Sequence, residues 1–178
     1  MGRIICFLAV FFIVCAADAG SLDDKRLKLI ETAQSQIGVR EYTGNNDGVQ
    51  VELYLKVSNL NKGNPWCAAF VAWCYKQCGI SAPVSGYSPL WFRSNAVIYR
   101  RGLGQSFYNS NIQCGDVFGI YFPDMKRIAH VGIIESINRN YITTVEGNTN
   151  DMLSRDGDGV YRKRRQVRQI YAVANYIN

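Results

Sequence analysis

The stretch NPWCAAFVAWCY, at residues 64–75, decides the fold because it is apolar on every side of a helix. A helix without a polar face is enclosed by a core. Pro65 and Trp66 place its start at or near Cys67, and Cys78-Gly79 is typical of its end. The sequence therefore predicts one central, buried helix with a cysteine at its beginning.

Cys67 is a candidate nucleophile because of that position. Free backbone amides and the helix dipole at a helix N-terminus stabilise a thiolate. A cysteine activated in this way still needs a base that shares its proton and later protonates the leaving amine. Histidine suits that task best near neutral pH.

His130 is the only histidine of the chain and lies in IAHVGII, at residues 128–134. This pattern predicts a strand, which would hold the imidazole at a fixed place on a sheet. Taken alone, a histidine in an apolar strand is more often an ordinary core residue. The presence of Cys67 makes a general base the better interpretation.

A third group should orient the imidazole, and Glu146 and Asn148 are the candidates. Both lie in TVEGN, at residues 144–148, near the end of the strand after the one that carries His130. A tight turn at residues 138–140 predicts that the two strands are antiparallel neighbours. Strand alternation then puts both side chains on one face, although polar residues beside Gly147 could also simply form a turn.

The remaining pattern divides the chain into a helical half and a strand half. Helices are predicted at residues 27–37 behind capping residues 21–24, at 49–57, at 67–75 and at 88–99, which includes Trp91. Strands are predicted at residues 116–122, 128–137, 141–145, 159–164 and 167–176. This order predicts an α+β domain, with N-terminal helices packed on a C-terminal antiparallel β-sheet.

The N-terminus reads as a signal peptide at residues 1–19, followed by a single domain at residues 20–178. Arg3 precedes an apolar run at residues 4–17, which leads into the small-x-small pattern Ala17-Asp18-Ala19. This run is shorter than the roughly 20 residues of a membrane-spanning helix, so we expect export without stable membrane insertion. Lipidation at Cys15 is a minor alternative because Val14 before it is bulky.

After that cleavage the chain would keep Cys67, Cys74, Cys78 and Cys114. If Cys67 is a working thiol, at most one disulfide can form among the others, and we expect buried free thiols. A zinc site that combines His130 with the last three cysteines is disfavoured because paired Cys-x-x-Cys knuckles are absent.

The formal net charge of +6 favours anionic partners. The dense run RKRR, at residues 162–165, is interpreted as a solvated hairpin tip rather than a nucleic-acid site. For an exported protein, a cell-wall polymer is a more natural partner than DNA. We expect no nucleic acid as a partner, and a monomer.

Four motifs together resemble the CHAP family of cysteine, histidine-dependent amidohydrolases and peptidases. They are NPWCAAFV at residues 64–71, CGDV at 114–117, AHVGI at 129–133 and VEGN at 145–148, in the family's order. The resemblance extends from about Ile37 to about Asn150. The related NlpC-type endopeptidases usually have Asp before the cysteine, Ser-Gly after it and a second histidine, which Trp66 and Ala68-Ala69 do not match.

The resemblance implies a papain-like fold in which Cys67 is the nucleophile, His130 the base, Glu146 its orienting group and Asn148 a further polar group of the site. It also implies peptidoglycan as substrate, cut either as an N-acetylmuramoyl-L-alanine amidase or as a stem or bridge endopeptidase. No cofactor is expected. Calcium is disfavoured because residues 45–47 supply a single carboxylate.

Trp66, Tyr87 and Trp91 are predicted to line the substrate groove, although buried aromatic residues usually pack in cores. Asn64 is a candidate substrate contact and, with Asn61, a candidate donor to the oxyanion. Two other classes stay open: a catalytically inactive wall-binding module and a disulfide-stabilised exported structural protein. The complete Cys, His and Glu set favours the enzyme.

Overall fold

The computed structural model describes residues 21–93, 95–104, 106–151 and 157–177. The predicted signal peptide, with Cys15, lies outside these residues. Within them, three helices precede a six-stranded sheet. The helices are α1 (Leu22–Gln34), α2 (Val49–Val57) and α3 (Cys67–Gln77).

The strands are β1 (Val97–Arg100), β2 (Val117–Phe122), β3 (Arg127–Asn138), β4 (Tyr141–Thr149), β5 (Gly159–Gln166) and β6 (Ala172–Ala174). They form one sheet in the order β1-β6-β2-β3-β4-β5, with every neighbouring pair antiparallel. The predicted α+β architecture, with N-terminal helices on a C-terminal antiparallel sheet, is confirmed.

Helix α3 is the centre of the core, as its sequence predicts. Ala68, Ala69, Phe70 and Val71 have no exposed surface, and the helix packs on β3 and β4. Gly147 permits this close approach, since a Cβ there would lie 2.7 Å from Phe70 Cβ. The start of α3 is therefore held against the middle of the sheet.

The prediction of a helix at residues 88–99 is wrong for most of its length. Ser88–Phe92 forms a short 3-10 helix, and β1 begins at Val97 and pairs with β6. Val97-Ile98 is β-branched, and such residues favour a strand when a neighbouring strand is available. The predicted strand at residues 167–176 likewise begins as a 3-10 turn, Val167–Gln169, before β6.

The prediction of a hairpin tip at residues 162–165 is also wrong. These residues lie inside β5, which pairs with β4 along the edge of the sheet. Alternation along a strand turns every second side chain to the other face, so the four basic residues cannot all point the same way.

The described helices include none that is both long and apolar enough to cross a bilayer.

Candidate active site

Cys67 occupies the first position of α3, directly after Trp66 at the N-cap. Its side chain is nearly buried, with 6% of the residue exposed. The sulfur lies 3.6 Å from the Ser88 hydroxyl oxygen and 4.0 Å from the Ala129 carbonyl oxygen. The thiol therefore faces the first turn of the 3-10 helix on one side and β3 on the other.

His130 connects Cys67 to Glu146. The imidazole Nε2 lies 2.8 Å from Glu146 Oε2. The ring is also near enough to the Cys67 thiol for each group to shift the pKa of the other. Since Nε2 is bonded to Glu146, Nδ1 is the nitrogen left for the sulfur. The structure thus brings the predicted nucleophile, base and orienting group into one chain of contacts.

The electrostatics of these contacts favour charge on both the sulfur and the ring. Burial alone would raise the pKa of the Cys67 thiol, but the hydrogen bond and charge of His130, with the Ser88 hydroxyl, lower it overall. Burial would lower the pKa of His130, but Cys67 and Glu146 raise it to about 9. A thiolate beside an imidazolium is the form that these shifts favour.

Glu146 is fully buried and kept ionised by Arg165, a residue that the sequence analysis missed. Two guanidinium nitrogens of Arg165 donate to the Glu146 carboxylate, Nε to Oε1 at 2.8 Å and Nη2 to Oε2 at 2.6 Å. The Thr144 hydroxyl donates to Oε1 at 2.6 Å. Burial raises the pKa of Glu146, but Arg165 and His130 together hold it well below its usual range.

Asn148 acts on the backbone at the start of α3 rather than on His130. Its Oδ1 accepts a hydrogen bond from the Trp66 N–H at 3.0 Å, and its Nδ2 donates to Asn46 Oδ1 at 3.1 Å. Glu41 completes this network, because it accepts from Trp66 Nε1 at 2.8 Å and from the Asn46 N–H at 2.9 Å. Glu41 was also missed, and nothing in its sequence surroundings pointed to it.

A cavity of about 610 Å³ opens above these side chains. Its described lining includes Cys67, His130 and Asn148 on the floor and the loop residues Asn45 and Asn46. Phe122, Met125, Arg127 and Ala129 complete the wall on the side of β2 and β3. The cavity is large enough for a short peptide or one sugar residue.

The predicted substrate contacts are only partly brought to this cavity. Trp66 and Trp91 have no exposed surface, so the prediction that they line a groove is wrong. Trp66 stacks on Tyr54, and the Trp91 indole donates to the Ser85 carbonyl oxygen at 3.1 Å. Both rings are packed in the core, as is usual for buried aromatic residues, and therefore do not contact a substrate.

The two remaining predicted contacts are exposed. The centroid of the Tyr87 ring lies 5.3 Å from the guanidinium carbon of Arg127, a residue of the cavity wall, but Tyr87 is not part of the described lining. The Asn64 amide donates to the Asn61 carbonyl oxygen at 2.9 Å, and neither residue is part of the described cavity wall. The structure therefore does not bring Asn61 or Asn64 to the position of an oxyanion donor.

Cys74, Cys78 and Cys114 are free thiols, with Cys74 buried and the other two half-buried. The described residues contain no cluster of three or more side chains suited to hold a metal ion. In the loop considered for calcium, the Asp47 carboxylate accepts hydrogen bonds from the Thr43 N–H and hydroxyl, at 2.9 and 2.8 Å.

A family model described as "CHAP domain" matches residues 59–148. The chain belongs to the CHAP family. The match begins just before α3 and ends at Asn148, so it contains Cys67, His130 and Glu146. The family predicted from the four motifs is confirmed. A search of curated proteins finds no match.

Solved structures resemble the fold of this CHAP chain at low sequence identity. The P60 domain of an M. avium paratuberculosis antigen has a TM-score of 0.51 and 14% identity, over 86% of this chain and 94% of that one. An NlpC/P60 family protein from Bacillus cereus has a TM-score of 0.50 and 15% identity, and PlyC has 0.50 and 18%. This chain is covered to 86% in both, but it spans only 40% and 36% of their lengths. These likenesses confirm the papain-like fold.

Proposed function

We propose that this chain is a cysteine hydrolase that cleaves an amide bond of peptidoglycan, as an N-acetylmuramoyl-L-alanine amidase or as a stem or bridge endopeptidase. The observation that carries the proposal is that His130, bound to the buried Glu146, lines an open cavity together with Cys67 and lowers the pKa of its thiol. Membership of the CHAP family supports both the cysteine chemistry and the substrate class.

In the proposed acylation step, the Cys67 thiolate attacks the carbonyl carbon of the scissile amide. Negative charge moves to the carbonyl oxygen, and the free backbone N–H of Cys67 at the start of α3 is placed to donate to it. The imidazolium of His130 then gives its proton to the departing nitrogen. The C–N bond breaks, the amine leaves, and a thioester on Cys67 remains.

In the proposed deacylation step, His130 is neutral and takes a proton from water as the water attacks the thioester. The C–S bond breaks, the acid product leaves, and the proton held by His130 restores the thiolate–imidazolium pair. Glu146 fixes the ring through Nε2 in both steps, so that Nδ1 keeps facing the reacting atoms. Arg165 and Asn148 are positioning residues that hold the carboxylate and the helix start.

Digestion of purified peptidoglycan, followed by mass spectrometry of the products, tests the proposal. The parent protein should release new peptide or sugar termini, whereas Cys67→Ala should release none. The identity of the new termini distinguishes the amidase from the endopeptidase. Identical products from both proteins would place the chemistry elsewhere.

Alkylation distinguishes the hydrolase from a wall-binding module that lacks activity. A thiol activated by His130 should react with iodoacetamide near neutral pH much faster than Cys74, which is buried and has a pKa raised well above its ordinary value by burial. Peptide mapping assigns each modified cysteine. Equal slow reaction at Cys67 would contradict the proposal and favour the inactive module.

We also propose that the protein is exported, with residues 1–19 removed after Ala19, and that the remaining single domain is a monomer. N-terminal sequencing of the exported protein should begin at Gly20. Light scattering should give the mass of one chain. A lipid-modified Cys15, or a protein retained with residues 1–19 intact, would contradict the first part.

A further inference from the structure

The cavity above Cys67 has a cationic wall. Among the described residues that line it, Arg127 alone carries a permanent charge, and no carboxylate is present. The charge of a His130 imidazolium on the floor is balanced by the Cys67 thiolate beside it, so Arg127 sets the net charge of the described lining. A cavity lined in this way attracts negatively charged groups.

The position of Arg127 is set by the sheet. It is the first residue of β3, the strand that carries His130, and a bulge opposite the Ile120/Tyr121 step leaves Ala129 without a partner in β2. Bulges redirect nearby side chains, and here Arg127, Ala129 and His130 all reach the same cavity. Three residues of strand place Arg127 about 10 Å from His130 along the chain.

The Arg127 guanidinium makes few contacts with the rest of the protein. Its Nη1 lies 3.3 Å from the carbonyl oxygen of the adjacent Ile128, and its guanidinium lies over the Tyr87 ring. Within the described part of the chain, no carboxylate lies within ion-pair distance of it. The ring contact limits the guanidinium's freedom, which lowers the entropy lost when it binds a ligand.

We propose that Arg127 binds a carboxylate of the peptidoglycan stem peptide, within about three residues of the scissile amide. The inference rests on the proposed function and names the substrate class of that site: acidic rather than amidated peptides. A planar guanidinium fork matches a carboxylate through two parallel hydrogen bonds, whereas a neutral amide offers one acceptor and no charge.

A series of synthetic muropeptides tests the proposal. All members share one stem peptide, and in each a different carboxylate is converted to its amide. The parent protein should cleave one amidated member about 10- to 100-fold less efficiently, in kcat/KM, than the fully acidic peptide. The position of that amide identifies the carboxylate that is bound.

Arg127→Gln should remove this discrimination. Cleavage of the fully acidic peptide should fall about 10- to 100-fold, mainly through a higher KM. Cleavage of the amidated peptide that the parent protein cleaves slowly should change little. Arg127→Lys keeps the charge without the fork, so its discrimination should be intermediate. Arg164→Gln is the matched control, since Arg164 also stacks on a tyrosine, Tyr141, but outside the cavity.

Separate outcomes overturn the inference and the proposed function. If the parent cleaves all amidated peptides as fast as the acidic one, or if Arg127→Gln slows all of them equally, Arg127 does not bind a substrate carboxylate, although the hydrolase stands. The rate of Cys67 alkylation in Arg127→Gln shows whether the site is intact. If the parent cleaves neither these peptides nor whole peptidoglycan, the proposed function fails and the inference with it.

Discussion

At the scale of single residues, His130 lies between Cys67 and Glu146, and both neighbours favour its charged form. It is 9% exposed, and burial alone would suppress its positive charge. The Cys67 thiol on one side and the Glu146 carboxylate on the other reverse that effect and raise its pKa to about 9. The charge state of the ring is therefore set by its two neighbours, not by its burial.

Glu146→Gln should shift the alkaline limb of the activity profile to lower pH. In the parent protein the imidazolium is lost as the pH rises through about 9, and Glu146 is one cause of that value. A neutral amide of similar size removes this cause, so the pKa of His130 falls. We also expect kcat/KM near neutral pH to fall about 100-fold.

The measurement is the rate of Cys67 alkylation and of peptidoglycan hydrolysis between pH 5 and 10 in the parent and Glu146→Gln proteins. An alkaline limb that stays at the same pH in the variant would mean that Glu146 does not control the imidazole. Asn148→Ala is a useful comparison because Asn148 accepts a hydrogen bond from the Trp66 backbone N–H and does not contact the His130 imidazole.

Arg165→Gln should destabilise the protein by about 3 kcal/mol, because it leaves the buried Glu146 carboxylate without its charged partner. Despite burial, Arg165 and His130 lower the pKa of Glu146, so this contribution is present above the ordinary value of 4.5 and disappears as the pH falls. Urea unfolding at pH 7 and at pH 3 measures the difference.

Arg162→Gln is the matched control on the same strand. Arg162 pairs with Glu135 at 2.8 Å, but its side chain is 52% exposed. Exposed pairs contribute at most about 1 kcal/mol, so the control should unfold close to the parent. Equal losses in the two variants would show that Arg165 has no special role at Glu146.

At the scale of elements, the β3–β4 hairpin brings His130 and Glu146 together. Its register pairs Ile133 with Val145, and the turn closes where Asn138 pairs with Tyr141. Gly132 leaves room for the Glu146 side chain on the adjacent strand. A Cβ at this position would lie 2.8 Å from Glu146 Cγ and 2.8 Å from Phe118 Cε1.

Gly132→Ala should therefore lower activity about tenfold or more, because the added methyl group displaces Glu146 from its contact with His130. Stability should fall by about 1–3 kcal/mol, as expected for overpacking of a core. Ser136→Ala, at an exposed position of the same strand, is the control and should behave as the parent. Full activity of Gly132→Ala would mean that the hairpin adapts without moving the carboxylate.

At the scale of the whole molecule, one buried ion pair links the first helix to the sheet. Arg26 on α1 binds Asp116, just before β2, at 2.8 Å, and it also donates to the Cys114 carbonyl oxygen at 2.8 Å. Asp116 is fully buried and Arg26 nearly so. The CGDV motif thus connects the helical half to the strand half, and none of its residues is part of the described cavity lining.

Asp116→Asn should lower the free energy of unfolding by about 3 kcal/mol, since Arg26 would remain buried without a negative partner. Activity per folded molecule should be unchanged, because Asp116 does not line the cavity in the described structure. Urea unfolding and titration of the reactive thiol measure the two quantities. Asp23→Asn, on the exposed side of α1, is the control; a loss of activity without a loss of stability would contradict this assignment.

Local patterns determined most of the fold. Helix α2 has the predicted bounds, α3 starts at Cys67, and the hairpin of β3 and β4 turns where it was predicted. Periodicity and turn chemistry act over a few residues, so a sequence reveals them directly. The same patterns failed at residues 88–99, where the pairing of β1 with β6 depends on a strand over 70 residues away.

The sequence by itself determined that Cys67 begins a buried helix, that His130 lies on a strand and that Glu146 follows on its neighbour, because each follows from local pattern. Tertiary structure alone decided that Arg165 binds Glu146, that Glu41 and Asn148 form hydrogen bonds with Trp66 at the start of α3, and that Arg127 lines the cavity. These contacts join residues that are distant in the chain. A short-range sequence pattern does not show which side chains of different elements come into contact after folding.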